Sequence, residues 1–466
     1  MKTRNLMHKT FIYILSFLVS TVLLAQKEIP PAGGTPKNFK IPQKTEINLD
    51  NGLTIVMVPY GSLPKVTVRA IVKTGNIHEG PNQIWLADLM ADLMKEGTTT
   101  KSAKELSLAA ANMGGEINVN VAPNQTFASG EVLSEFGPDL VNLIADVMLN
   151  PAFPESEIPR LVNDMKRNLS VQLSRPQPIA REKFNDMLFG DHPYGNFYPT
   201  EEMLDSYTIA DVKQFYDDNF GAKRTTVYVA GVFDADNMRK AIENAFSTWK
   251  PGPEVSFDVP EITAKPGVDV IDRPGAPQST IVMGLPVVDP SNPDYIPLSV
   301  TNYLLGGSFA SRITSNIRED KGYTYSPRST VDTKYGSGVW YEEADVTTDV
   351  TGPSLKEISY EINKLRNEAP TDEELDGIKN YRAGVFVLQN SSPAGIIGQL
   401  AFLDLHGLDD SYLENYVKNV YAVSPEQVKE MTEKYLDYEK MTIVVVGDKK
   451  VIDKQLDDYQ KEIENF

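Results

Sequence analysis

The sequence predicts an α+β fold: two tandem, homologous α/β layer domains, each an antiparallel-rich sheet with helices packed on one side. Three observations lead there. In each half, short alternating apolar–polar runs precede longer stretches with helical periodicity. A proline- and glycine-rich stretch divides the chain into two parts of about equal length. Sequence anchors recur in the same order in both parts at nearly the same offset, the mark of an internal repeat.

In chain order, Lys2, Arg4 and Lys9 precede an apolar run from Phe11 to Ala25, too short to span a bilayer comfortably. Residues 1–25 are read as a signal peptide cleaved after Ala25. The mature chain is then exported, to a bacterial periplasm, with no stable membrane span; an uncleaved anchor is the alternative. Residues 26–43, with Pro30, Pro31, Gly33, Gly34, Pro36 and Pro42, read as a flexible tether.

The first domain, 44–248, opens with strand-like runs at Glu46–Leu49, Thr54–Val58 and Val66–Val72. Its helical stretches include Asp139–Met148 and Glu155–Leu173. A linker is expected over 249–267, where Trp249-Lys-Pro-Gly-Pro and Lys265-Pro-Gly267 lack any apolar period. The second domain, 268–466, repeats the first. Tyr207–Tyr216 followed by Thr226–Gly231 is matched by Tyr421–Lys429 followed by Thr442–Gly447. Asn150–Ile158 is echoed by Asn367–Leu375, each a helix start with acids in its first turn.

Charge and composition exclude several functions. The formal net charge is -19, and losing Lys2, Arg4 and Lys9 takes it to -22, a surface that repels phosphate backbones and argues against nucleic acid. With no cysteine there is no disulfide, thiolate nucleophile or Cys-ligated zinc.

Leu86, Leu89, Met90, Leu93 and Met94 recur at helical spacing, so this segment is an amphipathic helix with Asp88 and Asp92 on its polar face. Two acids one turn apart read as a solvated face; sharing a hard cation is the alternative. A zinc hydrolase needs two imidazoles one turn apart, a third ligand and a carboxylate base. After residue 25 the only histidines are His78, His192 and His406, none near another. His192, in Asp191-His-Pro-Tyr-Gly195, reads as a structural turn residue.

Several segments together resemble the opening of the pitrilysin/insulinase family of zinc metallopeptidases: Asn51–Pro59, Val72-Lys-Thr-Gly75 with Glu79, Lys95-Glu-Gly-Thr98, Gly114–Asn118, Asn150–Pro154 and Asp191–Gly195. The resemblance covers nearly all of the chain after residue 44. It implies half of a clam-shell chamber. It also places the family's His-x-x-Glu-His at Asp88, Ala91 and Asp92, and its third ligand, a Glu, at Asn168. All four positions are changed, so no zinc is expected in this chain. The family lays substrate along a sheet edge; here that edge is Glu116–Val121, where Val119 replaces a small residue, which implies an edge no longer used.

Leu304-Leu-Gly-Gly-Ser-Phe-Ala-Ser-Arg312, Ile317-Arg-Glu-Asp-Lys-Gly322 and Tyr325 resemble the family's second-domain signature. By that resemblance Arg318 and Tyr325 are catalytic in trans, and Gly306, Gly307 and Ser308 bind substrate. A Tyr hydroxyl suits an oxygen that gains negative charge, and an Arg suits a carbonyl or carboxylate. The expectation is a non-catalytic subunit of a heterodimeric zinc peptidase, with zinc and base supplied by a homologous partner, acting on peptides. The alternatives are a silent scaffold or peptide-binding member of the same fold, and an enzyme using Asp88 and Asp92 with another cation.

Overall fold

The alternating runs pair into two sheets of matching order. The computed structural model describes residues 39–262 and 265–463. In the first half the elements are β1 (Thr45–Asn48), β2 (Thr54–Pro59), β3 (Lys65–Val72), α1 (Leu86–Lys95), α2 (Ala103–Asn112), β4 (Ile117–Ala122), β5 (Gln125–Leu133), α3 (Gly137–Leu149), α4 (Ile158–Leu173), α5 (Pro176–Phe189), α6 (Glu201–Ser206), α7 (Ile209–Asn219), β6 (Thr225–Gly231) and α8 (Ala235–Phe246). The second half runs β7 (Gly267–Asp272), β8 (Gln278–Val287), α9 (Tyr295–Asn302), β9 (Arg328–Lys334), β10 (Ser337–Thr347), α10 (Thr351–Asn367), α11 (Asp372–Gln389), α12 (Pro393–His406), α13 (Asp410–Glu414), α14 (Tyr416–Ala422), α15 (Pro425–Tyr435), β11 (Thr442–Gly447) and α16 (Lys449–Ile463).

The first sheet has the order β1-β2-β6-β3-β5-β4 and the second β7-β11-β8-β10-β9. Apart from the added β1, the two orders superpose. Only β2·β6 and β7·β11 pair in parallel; the other neighbours are antiparallel. The repeat seen in sequence is thus a repeat of topology. In β6 and β11 every residue is buried, the signature of a central strand covered on both faces.

What covers the second face is a helix of the other half. α12 lies on β6 and β3, while α5 lies on β11 and β8. Ala180, Phe184 and Leu188 of α5, spaced four apart, pack with Val282, Val339, Val444 and Val446. Conversely, Ile396, Ile397 and Leu400 of α12 share a core with Val58, Ile71 and Tyr228. Both helices begin with proline and stop at a left-handed glycine, Gly190 and Gly407, which ends a helix at no Cβ cost. Polar ties join the same seam: Lys73 to Asp404 at 2.7 Å, Lys44 to Asp410 at 2.6 Å, and Gln177 to Asp345 at 2.7 Å.

Two boundaries differ from expectation. Phe39 and Ile41, within the stretch read as tether, pack against the second-half core, with Phe39 edge-on to Phe386 at 5.1 Å. Ordered structure therefore begins before residue 44, because these apolar side chains find a buried partner. The stretch 249–267 is likewise clamped: Trp249 is buried against the first core, and Phe257 and Ile262 join the core under α5. The signal-peptide reading of residues 1–25 falls outside the described residues. Among the described residues no helix is long and apolar enough to cross a membrane.

Candidate functional site

α1 buries Leu86, Leu89, Met90, Leu93 and Met94, as its periodicity predicts. Trp85 precedes it at φ 69 and offers no side-chain cap. The cap comes instead from Glu79, whose carboxylate accepts from the backbone N–H groups of Trp85 (3.2 Å) and Ala87 (2.8 Å) and from Asn76 Nδ2 (3.2 Å). A carboxylate at a helix start is favourable, yet burial outweighs these donors and pushes the Glu79 carboxyl up to about 8.

Asn76 Nδ2 also donates to Asp88 Oδ2 at 2.9 Å. Burial raises the Asp88 carboxyl above its ordinary value. Asp88 is therefore not on a solvated face as the helical pattern implied: the loop bearing Asn76 and the segment 193–197 close over it, leaving a cavity of about 130 Å³. The solvated reading suits Asp92, which pairs with Lys95 at 2.7 Å.

Of the four positions that the resemblance assigns to zinc chemistry, two carry carboxylates, each with a partner in the fold. Asp88 is held by Asn76 and Asp92 by Lys95. Ala91 is buried in the core, and Asn168 is exposed on α4, where its Oδ1 accepts from Gln172. Among the described residues no group of three or more His, Cys, Asp or Glu is placed to hold a metal. The described histidines are apart and occupied: His78 meets the Ser256 carbonyl, His192 the Asp258 carbonyl, and His406 packs on Phe402. β4 is an edge strand, and Val119 is buried beneath it, so that side chain does not obstruct the open edge.

In the second half, Gly306 and Gly307 end a π-helical turn, Tyr303–Gly307, and a second π-helical stretch, Thr314–Asp320, carries Arg318. Such turns concentrate at functional positions. The glycines are needed for close approach. A Cβ on Gly306 would stand 2.5 Å from Ser329 Oγ and 2.6 Å from Glu342 Oε2, and one on Gly307 2.5 Å from Asn302 Nδ2. Gly306 is itself buried and the Ser308 hydroxyl is buried without a partner, so this trio builds the turn rather than an open contact surface. Arg312 pins the loop to α11 through a two-point bond to Glu374, at 2.7 and 2.9 Å.

The turn delivers Phe309, a residue that motif reasoning passed over. Phe309 is 68% exposed and Tyr325 78% exposed. The Arg318 guanidinium carbon lies 4.5 Å from the Phe309 ring and 4.8 Å from the Tyr325 ring. Glu319 takes the Arg318 Nε at 3.1 Å. The only sequence signal for Phe309 was a large apolar residue directly after Gly-Gly-Ser, where a solvated loop ordinarily has none.

Residues 56–198 match the family model described as insulinase (peptidase family M16), and residues 206–381 match that of the peptidase M16 inactive domain. The chain belongs to the M16 peptidase family. One relative, the uncharacterized zinc protease YmxG of Bacillus subtilis (strain 168), is 25% identical over 389 residues, covering 81% of this chain and 92% of its own. Among solved structures, a peptidase M16 inactive domain from Pseudomonas fluorescens superposes with a TM-score of 0.81 at 25% identity, covering 87% of this chain and 98% of its own. A protease from Helicobacter pylori shares the fold, with a TM-score of 0.81 at 19% identity over 88% of this chain and 100% of its own.

Proposed function

We propose that this M16 member is the non-catalytic, Arg/Tyr-bearing subunit of an exported heterodimeric zinc peptidase that cleaves peptides. The observation that carries the reading is an asymmetry: Arg318 and Tyr325 stand together at the surface, while Asp88, Ala91, Asp92 and Asn168 are buried, paired or scattered. Zinc, bound by a homologous partner carrying His-x-x-Glu-His, would supply water activation and carbonyl polarisation. This chain's part is to bind and orient. The Tyr325 hydroxyl donates to a peptide carbonyl oxygen as negative charge grows there, and Arg318 fixes the peptide beside it.

The test is cleavage of a quenched fluorescent peptide by the chain alone and by the chain co-purified with such a partner. Activity is expected only in the pair, and chelator should abolish it. Tyr325→Phe should lower turnover by roughly 10²–10³-fold, the usual effect of losing one such donor, with assembly intact. An unchanged rate in that variant would sink the proposal, and the absence of any complex would leave the scaffold.

A further inference from the structure

Arg318 is presented in an unusual way. Two aromatic rings flank its guanidinium, Phe309 at 4.5 Å and Tyr325 at 4.8 Å. Stacking of this kind holds the planar cation by its faces. Glu319 engages Nε. What is left is the end of the fork, Nη1 and Nη2, which has no partner among the described residues. Two parallel N–H groups in one plane match the two oxygens of a carboxylate; a lone backbone carbonyl would use only half of them.

The surroundings narrow the ligand further. Phe309 and Tyr325 leave large apolar faces in solvent beside the fork, so whatever brings the carboxylate also brings apolar surface within reach. Glu319 and Asp320 lie next to Arg318 in a chain of net charge -19, so diffuse attraction for anions is weak and recognition rests on the fork itself. A free C-terminal carboxylate on an aromatic or aliphatic residue satisfies both demands at once. An aspartate or glutamate side chain supplies only the first.

Building on the peptide-handling reading above, we infer that the Phe309–Arg318–Tyr325 stack is an anchor for the free C-terminal carboxylate of peptides ending in an apolar residue. Phe309 is then a specificity-determining residue, and the substrate class is peptides presenting a free carboxyl end.

Calorimetry on the purified chain without any partner tests this, using acetyl-Ala-Ala-Phe as the free acid and as its C-terminal amide. The acid should bind at least tenfold more tightly than the amide. Arg318→Gln should erase that preference, because a neutral amide offers neither the charge nor the two parallel N–H groups. Phe309→Ala should weaken the acid while leaving the acid-to-amide ratio in place. Equal binding of acid and amide, no binding of either, or a preference that survives Arg318→Gln would each overturn the inference. Since no partner is present, those results are independent of whether the mixed pair cleaves peptides.

Discussion

His78 Nε2 lies 3.0 Å from the carbonyl oxygen of Ser256, so an imidazole of the first half holds the segment that leads to the second. His192 repeats the arrangement two residues on, with Nε2 3.2 Å from the Asp258 carbonyl. In each ring Nδ1 accepts a backbone N–H, from Gly75 at 3.4 Å and from Tyr194 at 3.1 Å. A neutral ring with its proton on Nε2 satisfies both bonds; a protonated ring would turn a second N–H against an N–H.

Acidification should therefore release this segment. Burial lowers both imidazoles, helped by Arg224 at His78 and by Lys334 at His192, while the carbonyl bonds and Asp258 oppose. A released histidine titrates near 6.5, so below that value the free form binds protons that the anchored form refuses. Anchoring is full above about pH 6.5 and weakens as pH falls. Amide hydrogen exchange over residues 250–262 should be faster at pH 5 than at pH 7.5, after correction for intrinsic rates. A double His78→Ala, His192→Ala variant should lose the difference; equal protection in the wild type at both values would refute the idea.

Phe184→Ala should cost roughly 3–5 kcal/mol, the usual range for a buried Phe, because this ring of α5 is buried against the second sheet. Chemical denaturation is expected to show a single transition shifted to lower denaturant. Two separated transitions, one per half, would show that the crossed helices do not couple them.

Glu342 is fully buried on β10 beneath Gly306, and among the described residues only the Arg328 backbone favours its charged form, with no donor at full hydrogen-bond geometry. Burial raises its carboxyl far above the ordinary value. The folded chain thus keeps a proton that the unfolded chain gives up above about 4.3. Stability from this group is present below that value and is lost as pH climbs. Glu342→Met should leave the chain about 1–3 kcal/mol more stable at pH 8, with a smaller gain at pH 5. A variant less stable than wild type at pH 8 would point to a partner for the carboxylate.

Equilibrated with zinc and passed through a desalting column, the isolated chain should retain far less than one equivalent by mass spectrometry. Stoichiometric zinc would contradict the geometry at Asp88, Asp92 and Asn168.

Much of this fold was legible because it is local. The repeated endings, Thr226–Gly231 and Thr442–Gly447, became the equivalent central strands β6 and β11, and the spacing of Leu86 to Met94 gave the buried face of α1. What escaped depends on distant partners. Ala180, Phe184 and Leu188 announce an apolar stripe, but nothing in them says that it faces the other half's sheet. Asp88 reads as exposed until Asn76 and the 193–197 segment close over it. At the Arg318 site, motif spacing gave Arg318 and Tyr325 but not Phe309, because aromatic stacking depends on where the glycine turn sends the chain.

The crossed helices also bear on how such a chain can change over generations. Once each copy of the repeat roofed the other's sheet, neither could be deleted without stripping apolar strands bare to water. Side chains that roof no strand, such as those at Asp92 and Asn168, can change without that cost, but the copy itself had to stay. An inherited duplication became a permanent one, and α5 persists as the shelter of its twin.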